Sequence, residues 1–212
     1  MGSNFIYKKF KKIEQIKNLT NDIRNIFRDK NYPILIDQEG GRVNRLNKLI
    51  ETSVLTSEYF GNLFKNKKKK FNYYYKIYIS QISYLLNEIG ININTGPVLD
   101  LRRSKSSNVI GDRSYSSLAR NVSTIGDFAI REFNKGKIGT VIKHIPGHGL
   151  AKVDSHKKTP VVKKKANYLY KNDFLPFKKK KTFFAMTAHV IYKDIDPVNT
   201  ATHSSKIIKL IR

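Results

Sequence analysis

Cysteine is missing from the whole 212-residue sequence. Disulfides, thiolate metal sites and a cysteine nucleophile are thereby excluded, and the composition suits a reducing compartment. No apolar run approaches the length of a membrane span, and the stretch from Met1 to Phe10 carries no signal-peptide-like apolar segment. Met1-Gly2-Ser3 opens in the manner of a myristoylation signal, yet Ile6 stands where that signal needs Ser or Thr. A soluble, cytoplasmic protein with no membrane partner is the expectation.

Acidic residues are also scarce: 16 Asp plus Glu face 41 Lys plus Arg, a formal net charge of +25. Such an excess raises the question of nucleic acid or an anionic surface. The basic residues are mostly Lys, set among many Ile, Asn, Tyr and Phe, which is the bias of AT-rich codons. The runs Lys67–Lys70, Lys163–Lys165 and Lys178–Lys181 sit at helix-like or loop positions outside any recognisable nucleic-acid motif. They read as solvated surface, with a polyanion site as the alternative, and no specific nucleic-acid partner is expected.

What is present is an alternation of strands and helices in a chain 40% hydrophobic, enough for a core. Short apolar runs end in polar residues: Pro33–Ile36 before Asp37, Ile91–Asn94 continuing through Gly96-Pro97-Val98-Leu99 to Asp100, Thr140–Ile142 before Lys143 and His144, and Phe183–Met186 before Thr187 and His189. Asn4–Tyr7 is a weaker candidate. Three- and four-residue steps mark helices at Ile13, Ile16, Leu19, Ile23 and Phe27, at Tyr78, Ile82, Leu85, Leu86 and Ile89 before Gly90, and at Ile125, Ala129 and Phe133 before Gly136. Ser204–Arg212 begins another, capped by Ser204 or Ser205. Continuous apolar strands alternating with helices predict a parallel sheet covered on both faces. Polar residues at successive strand ends point to an α/β TIM-like (β/α)8 barrel, with a doubly wound sheet as runner-up. No G-x-G-x-x-G or Walker sequence supports the latter. No repeat or linker divides residues 1–212, which read as one domain. About five strands are legible where a closed barrel has eight, so the barrel is expected to be incomplete.

Three constellations can carry chemistry. Asp37-Gln38-Glu39-Gly40-Gly41-Arg42-Val43-Asn44-Arg45 places a carboxylate at a strand end, then a tight turn, then arginines. It could surround a polyhydroxylated ligand, or be a turn held by salt bridges. Gly111-Asp112-Arg113-Ser114-Tyr115 alone is a polar turn. Lys143-His144-Ile145-Pro146-Gly147-His148-Gly149, followed by Asp154-Ser155-His156, is richer. Pro146 and the glycines disfavour the helical spacing that a shared metal would use, so no metal is expected. Asp154 and His156 are two apart and point the same way in an extended loop, where the acid can orient the imidazole for proton transfer. A merely hydrogen-bonded loop histidine is the alternative. His189, at a strand end, reads as a buried structural histidine, and His203 carries no signal.

Together these segments resemble the family 3 β-N-acetylhexosaminidases, bacterial cytosolic glycoside hydrolases of peptidoglycan recycling. The matching stretches are Ile36–Val43, Gly96–Leu101, Gly111–Tyr115, Lys143–Gly149, Asp154–His156, Met186–His189 and Asp194–Ala201, in the family's order and over nearly the whole chain. The resemblance implies a TIM-like barrel that removes terminal, non-reducing β-linked N-acetylglucosamine with retention, without a cofactor. It implies that Asp37, Arg45, Arg113, Lys143 and His144 grip the sugar. It makes His156 the general acid/base and Asp154 its orienting partner. The family's nucleophile is an aspartate in a Ser-Asp motif beyond a helix resembling Ser205–Arg212, and no Asp or Glu follows Asp196 here. The expectation is therefore a chain without its nucleophile, which a longer reading frame or a complementing C-terminal chain would supply. The alternative is an inactive or split-gene sugar-binding remnant.

Overall fold

The structure, a computed structural model, describes residues 13–103, 108–153 and 158–212. The chain runs α1 (Ile13–Phe27), β1 (Leu35–Ile36), β2 (Gln38–Gly40), β3 (Val43–Asn44), α2 (Ser57–Asn66), α3 (Lys68–Glu88), β4 (Ile93–Asn94) and α4 (Ala119–Lys135). It continues through β5 (Gly139–Ile145), β6 (Val161–Val162), α5 (Ala166–Lys171), β7 (Phe184–Thr187), β8 (Ile191–Tyr192) and α6 (Ser205–Ile211). Four strands form one sheet in the order β1-β4-β5-β7, every pairing parallel. Asn4–Tyr7 lies outside the described residues. Helices stand between successive strands, the architecture of a TIM-like barrel of which these strands are a part.

Local chemistry explains the helices. In α1 the apolar stripe buries Ile16, and Thr20 closes the same face by donating its hydroxyl to the Ile89 carbonyl at 2.9 Å. The Thr56 hydroxyl accepts from the Tyr59 N–H and caps α2, and Ser204 caps α6 by accepting from Ile207 N–H. Gly90 ends the α3 region in a left-handed conformation (φ 75°), as the pattern predicts. After α4, however, Lys137 takes the positive φ (58°) rather than Gly136. Gly136 is needed there because a Cβ would lie 2.5 Å from Cβ of Ser83.

The main core lies between the sheet and helices α1 to α4. Its centre is an aromatic cluster of Phe60, Phe71, Tyr75, Tyr78 and Tyr115, with the Tyr75 and Tyr115 hydroxyls 2.5 Å apart. A second, smaller core gathers Val162, Leu169, Phe174, Val190, Tyr192 and Ile207 beneath α5 and α6. The short parallel pair β6–β8 belongs to it. Of the lysine runs, Lys68–Lys70 opens α3. Lys180 departs from the expected solvated surface: its buried side chain donates to both Asp127 oxygens at 2.9 Å and to the Ser123 hydroxyl at 2.8 Å. No helix among the described residues is long and apolar enough to cross a membrane.

Candidate active site

The carboxyl ends of β1, β4 and β5 meet at one mouth. β1 delivers Asp37 just beyond its last residue, and the β2–β3 hairpin then folds back on itself. Its turn is made by Gly40 and Gly41 at φ 86° and 57°, conformations that cost other residues strain. The hairpin directs Glu39 inward. β4 delivers Thr95, and β5 delivers Lys143 and His144.

Lys143 is the hub. Its side chain is 2% exposed, and its ammonium lies 2.7 Å from Oδ1 of Asp37, 2.5 Å from Oε1 of Glu39 and 3.2 Å from the Thr95 hydroxyl. Thr95 in turn donates to Asp37. Glu39 is gripped from the other side by Arg113, whose Nε and Nη2 donate at 2.8 and 2.9 Å. This two-pronged geometry is the strong form of the carboxylate–guanidinium pair. Burial opposes the charge on Glu39, but Lys143 and Arg113 outweigh it and hold its pKa at about 2. Burial also raises Asp37, and Lys143 with Thr95 brings it below the usual carboxylate range. Arg45 reaches the other Asp37 oxygen at 4.0 Å from a more exposed position.

His144 turns to a different acid. Its Nδ1 lies 2.6 Å from Oδ2 of Asp100, which is fully buried and also takes the His148 backbone N–H on Oδ1 at 2.6 Å. Burial lowers the pKa of His148. Arg113 feels the charges of Glu39, Asp100 and Asp37, so the acids and bases belong to one electrostatic cluster.

Asp37, Arg45, Arg113, Lys143 and His144 are therefore brought together. Asp154 and His156 lie outside the described residues. His189 differs from its expectation of burial: it is exposed, with Nδ1 2.9 Å from the Thr202 hydroxyl, because β7 ends before it and leaves it at the surface. Two residues central to the cluster, Glu39 and Asp100, are absent from the sugar-gripping set read from the sequence. Glu39 had a signal, since it stands two residues beyond Asp37 in extended backbone and so shares its side.

A parallel α/β barrel segment with interlocked acids and bases at its strand ends has the layout on which barrel enzymes build their active sites. Comparison with known proteins agrees. Residues 2–212 match the glycosyl hydrolase family 3 N terminal domain, and the chain belongs to that family. It is 33% identical over 190 residues to beta-hexosaminidase A of Pseudoalteromonas piscicida, covering 86% of this chain and 31% of that protein. With the beta-hexosaminidase of Actinobacillus succinogenes it shares 32% identity over 186 residues, 86% of this chain and 52% of the other. Its fold superposes on NagZ from Neisseria gonorrhoeae in complex with N-trifluoroacetyl-D-glucosamine with a TM-score of 0.88 at 27% identity, covering 98% of this chain and 61% of that one. The chain thus spans about half or less of the two beta-hexosaminidases.

Proposed function

We propose that Asp37, Arg45, Arg113, Lys143 and His144 form the subsite for a terminal, β-linked N-acetylglucosamine, and that the chain is the sugar-gripping part of a retaining β-N-acetylhexosaminidase acting on cell-wall-derived saccharides in the cytoplasm. The observation that carries this reading is the Asp37–Lys143–Glu39–Arg113 network at the strand ends. Such a network fixes charged donors and acceptors of the kind that hydrogen-bond hydroxyl and amide groups. The relatives' names, and the glucosamine derivative in the gonococcal NagZ complex, support the choice of sugar.

Within this reading His156 transfers the proton and Asp154 orients it. An imidazolium can protonate the leaving oxygen near neutral pH and later take a proton from water. Retention also requires an attacking carboxylate about 5 Å from the proton donor. Asp37, Glu39 and Asp100 are each committed to Lys143, Arg113 or His144, so the nucleophile is assigned to residues other than these. A complementing C-terminal segment, in the same reading frame or on a second chain, is the proposed source. The second reading, a sugar-binding protein without hydrolysis, is favoured by the same commitment of the three acids.

Incubation of the 212-residue chain with a chromogenic β-N-acetylglucosaminide tests the assignment. Turnover at background is expected, rising only when a chain carrying the nucleophile is added. Robust turnover by the chain alone, abolished by His156→Ala, would overturn it.

A further inference from the structure

Beneath His144 lies a carboxylate that a grip on the sugar does not itself use. Val98 bridges to Lys143 in parallel, and the Leu99 N–H donates to the Lys143 carbonyl at 2.8 Å. This pairing carries Asp100 under the end of β5. There Oδ2 meets Nδ1 of His144 at 2.6 Å and takes the His144 backbone N–H at 3.2 Å, while Oδ1 takes the His148 backbone N–H at 2.6 Å. The Ser114 hydroxyl donates to the Asp100 carbonyl at 2.6 Å and fixes the backbone below. Both carboxylate oxygens are thus engaged, and the side chain has no freedom to turn away.

The chemistry of the pair decides which imidazole nitrogen carries hydrogen. Burial opposes charge on Asp100, but His144, by its charge when protonated and by its hydrogen bond in either state, together with His148 and its backbone N–H, brings the carboxyl below its ordinary value. An ionised carboxylate only accepts. The Nδ1 atom at 2.6 Å must then be the donor, and a neutral His144 presents Nε2 without hydrogen. Among the described residues no hydrogen bond reaches that Nε2, and the side chain remains 18% exposed.

We propose that Asp100 is a positioning residue that locks His144 in its Nδ1–H form, making Nε2 the acceptor for one ring hydroxyl of the bound sugar. The inference rests on the sugar reading of the mouth. It goes beyond that reading by assigning hydrogen-bond polarity: His144 selects a ligand that donates at this position. An alcohol there is accepted, and an ether or deoxy position is not. An Asn in place of Asp100 reverses the polarity. Its carbonyl can keep the His148 N–H, the shorter backbone contact at 2.6 Å, while its amide faces Nδ1 and gives up the longer His144 N–H contact at 3.2 Å, which drives hydrogen to Nε2.

Long-range ¹⁵N–¹H NMR of the labelled chain, at a pH where its histidines are neutral, reads the tautomer directly. Calorimetry with N-acetylglucosamine reads the consequence. The wild type should show the Nδ1–H form. Asp100→Asn should show the Nε2–H form and bind up to about tenfold more weakly, because the hydroxyl must give up the bond it donates and accept from Nε2–H instead. A purely structural role for Asp100 would not move the tautomer. Should Asp100→Asn fail to fold, the 3-, 4- and 6-deoxy analogues carry the test on wild type and His144→Ala. One analogue should bind wild type about tenfold more weakly, and against that analogue His144→Ala should cost nothing more. A wild-type Nε2–H form, an unchanged tautomer in Asp100→Asn, or no analogue with that behaviour overturns the positioning role while leaving the sugar subsite intact. Absence of any N-acetylglucosamine binding by wild type overturns both, so the two failures are distinguishable.

Discussion

Lys143 carries a full charge to a place that water barely reaches, and Asp37 and Glu39 both answer it. Neutralising Glu39 leaves Lys143 with Asp37 alone and Arg113 without its carboxylate, and breaking such a buried pair typically costs about 3–5 kcal/mol. Glu39→Gln should therefore lower stability to denaturant by about that amount while retaining the fold. The pH dependence has a definite sign. The Glu39 pKa falls from 4.5 to about 2 on folding. Its stabilisation is full above pH 4.5 and is lost as pH falls towards about 2. Acid titration of wild type should show a loss of stability in that window that is reduced in Glu39→Gln; identical acid curves would count against the network. The sequence made the five residues proposed to grip the sugar legible because each stands in a contiguous motif. Glu39 stands in one of those motifs too, and the period-two rule that pairs Asp154 with His156 pairs it with Asp37. Asp100 is harder to read, because its partners follow 44 and 48 residues later in the chain.

Helices α1, α3, α4 and α6 follow from apolar periodicity and end signals, whereas α2, α5 and the β6–β8 pair do not. The reason is physical. α5 has six residues and β6 and β8 two each, so long-range pairing rather than local pattern holds them. α2 contains Gly61, a poor helix former, at its centre. The glycine is there for packing: a Cβ would lie 1.7 Å from the Tyr115 carbonyl oxygen. Gly61→Ala should thus destabilise the chain by about 1–3 kcal/mol, although the same change in an exposed helix stabilises by up to about 1 kcal/mol. Chemical denaturation decides between the two signs. At α6, Ser204 both caps the helix and donates to Asp196 at 2.7 Å. Ser204→Ala should cost about 1–2 kcal/mol, seen as a lower thermal midpoint; an unchanged midpoint would remove the cap from the account.

Across the whole molecule, β7 pairs with β5 on one side and has no partner strand on the other among the described residues. Phe183, just before it, is 99% exposed, and Phe184 is about half exposed. An uncovered edge bearing aromatic side chains favours association between chains. Phe183→Lys should reduce self-association in sedimentation velocity without altering stability, and equal association would show that the edge plays no part. Edge and mouth are separate features, so this variant should leave ligand binding unchanged. That independence supplies a control for the central claim, that the strand-end residues act together as one N-acetylglucosamine subsite. The direct measurement is calorimetric titration of N-acetylglucosamine into wild type, Asp37→Ala, His144→Ala and Phe183→Lys, each checked for fold by circular dichroism. Saturable binding to wild type and Phe183→Lys, lost in both mouth variants, is the predicted result. No binding to wild type, or binding indifferent to Asp37 and His144, would contradict it.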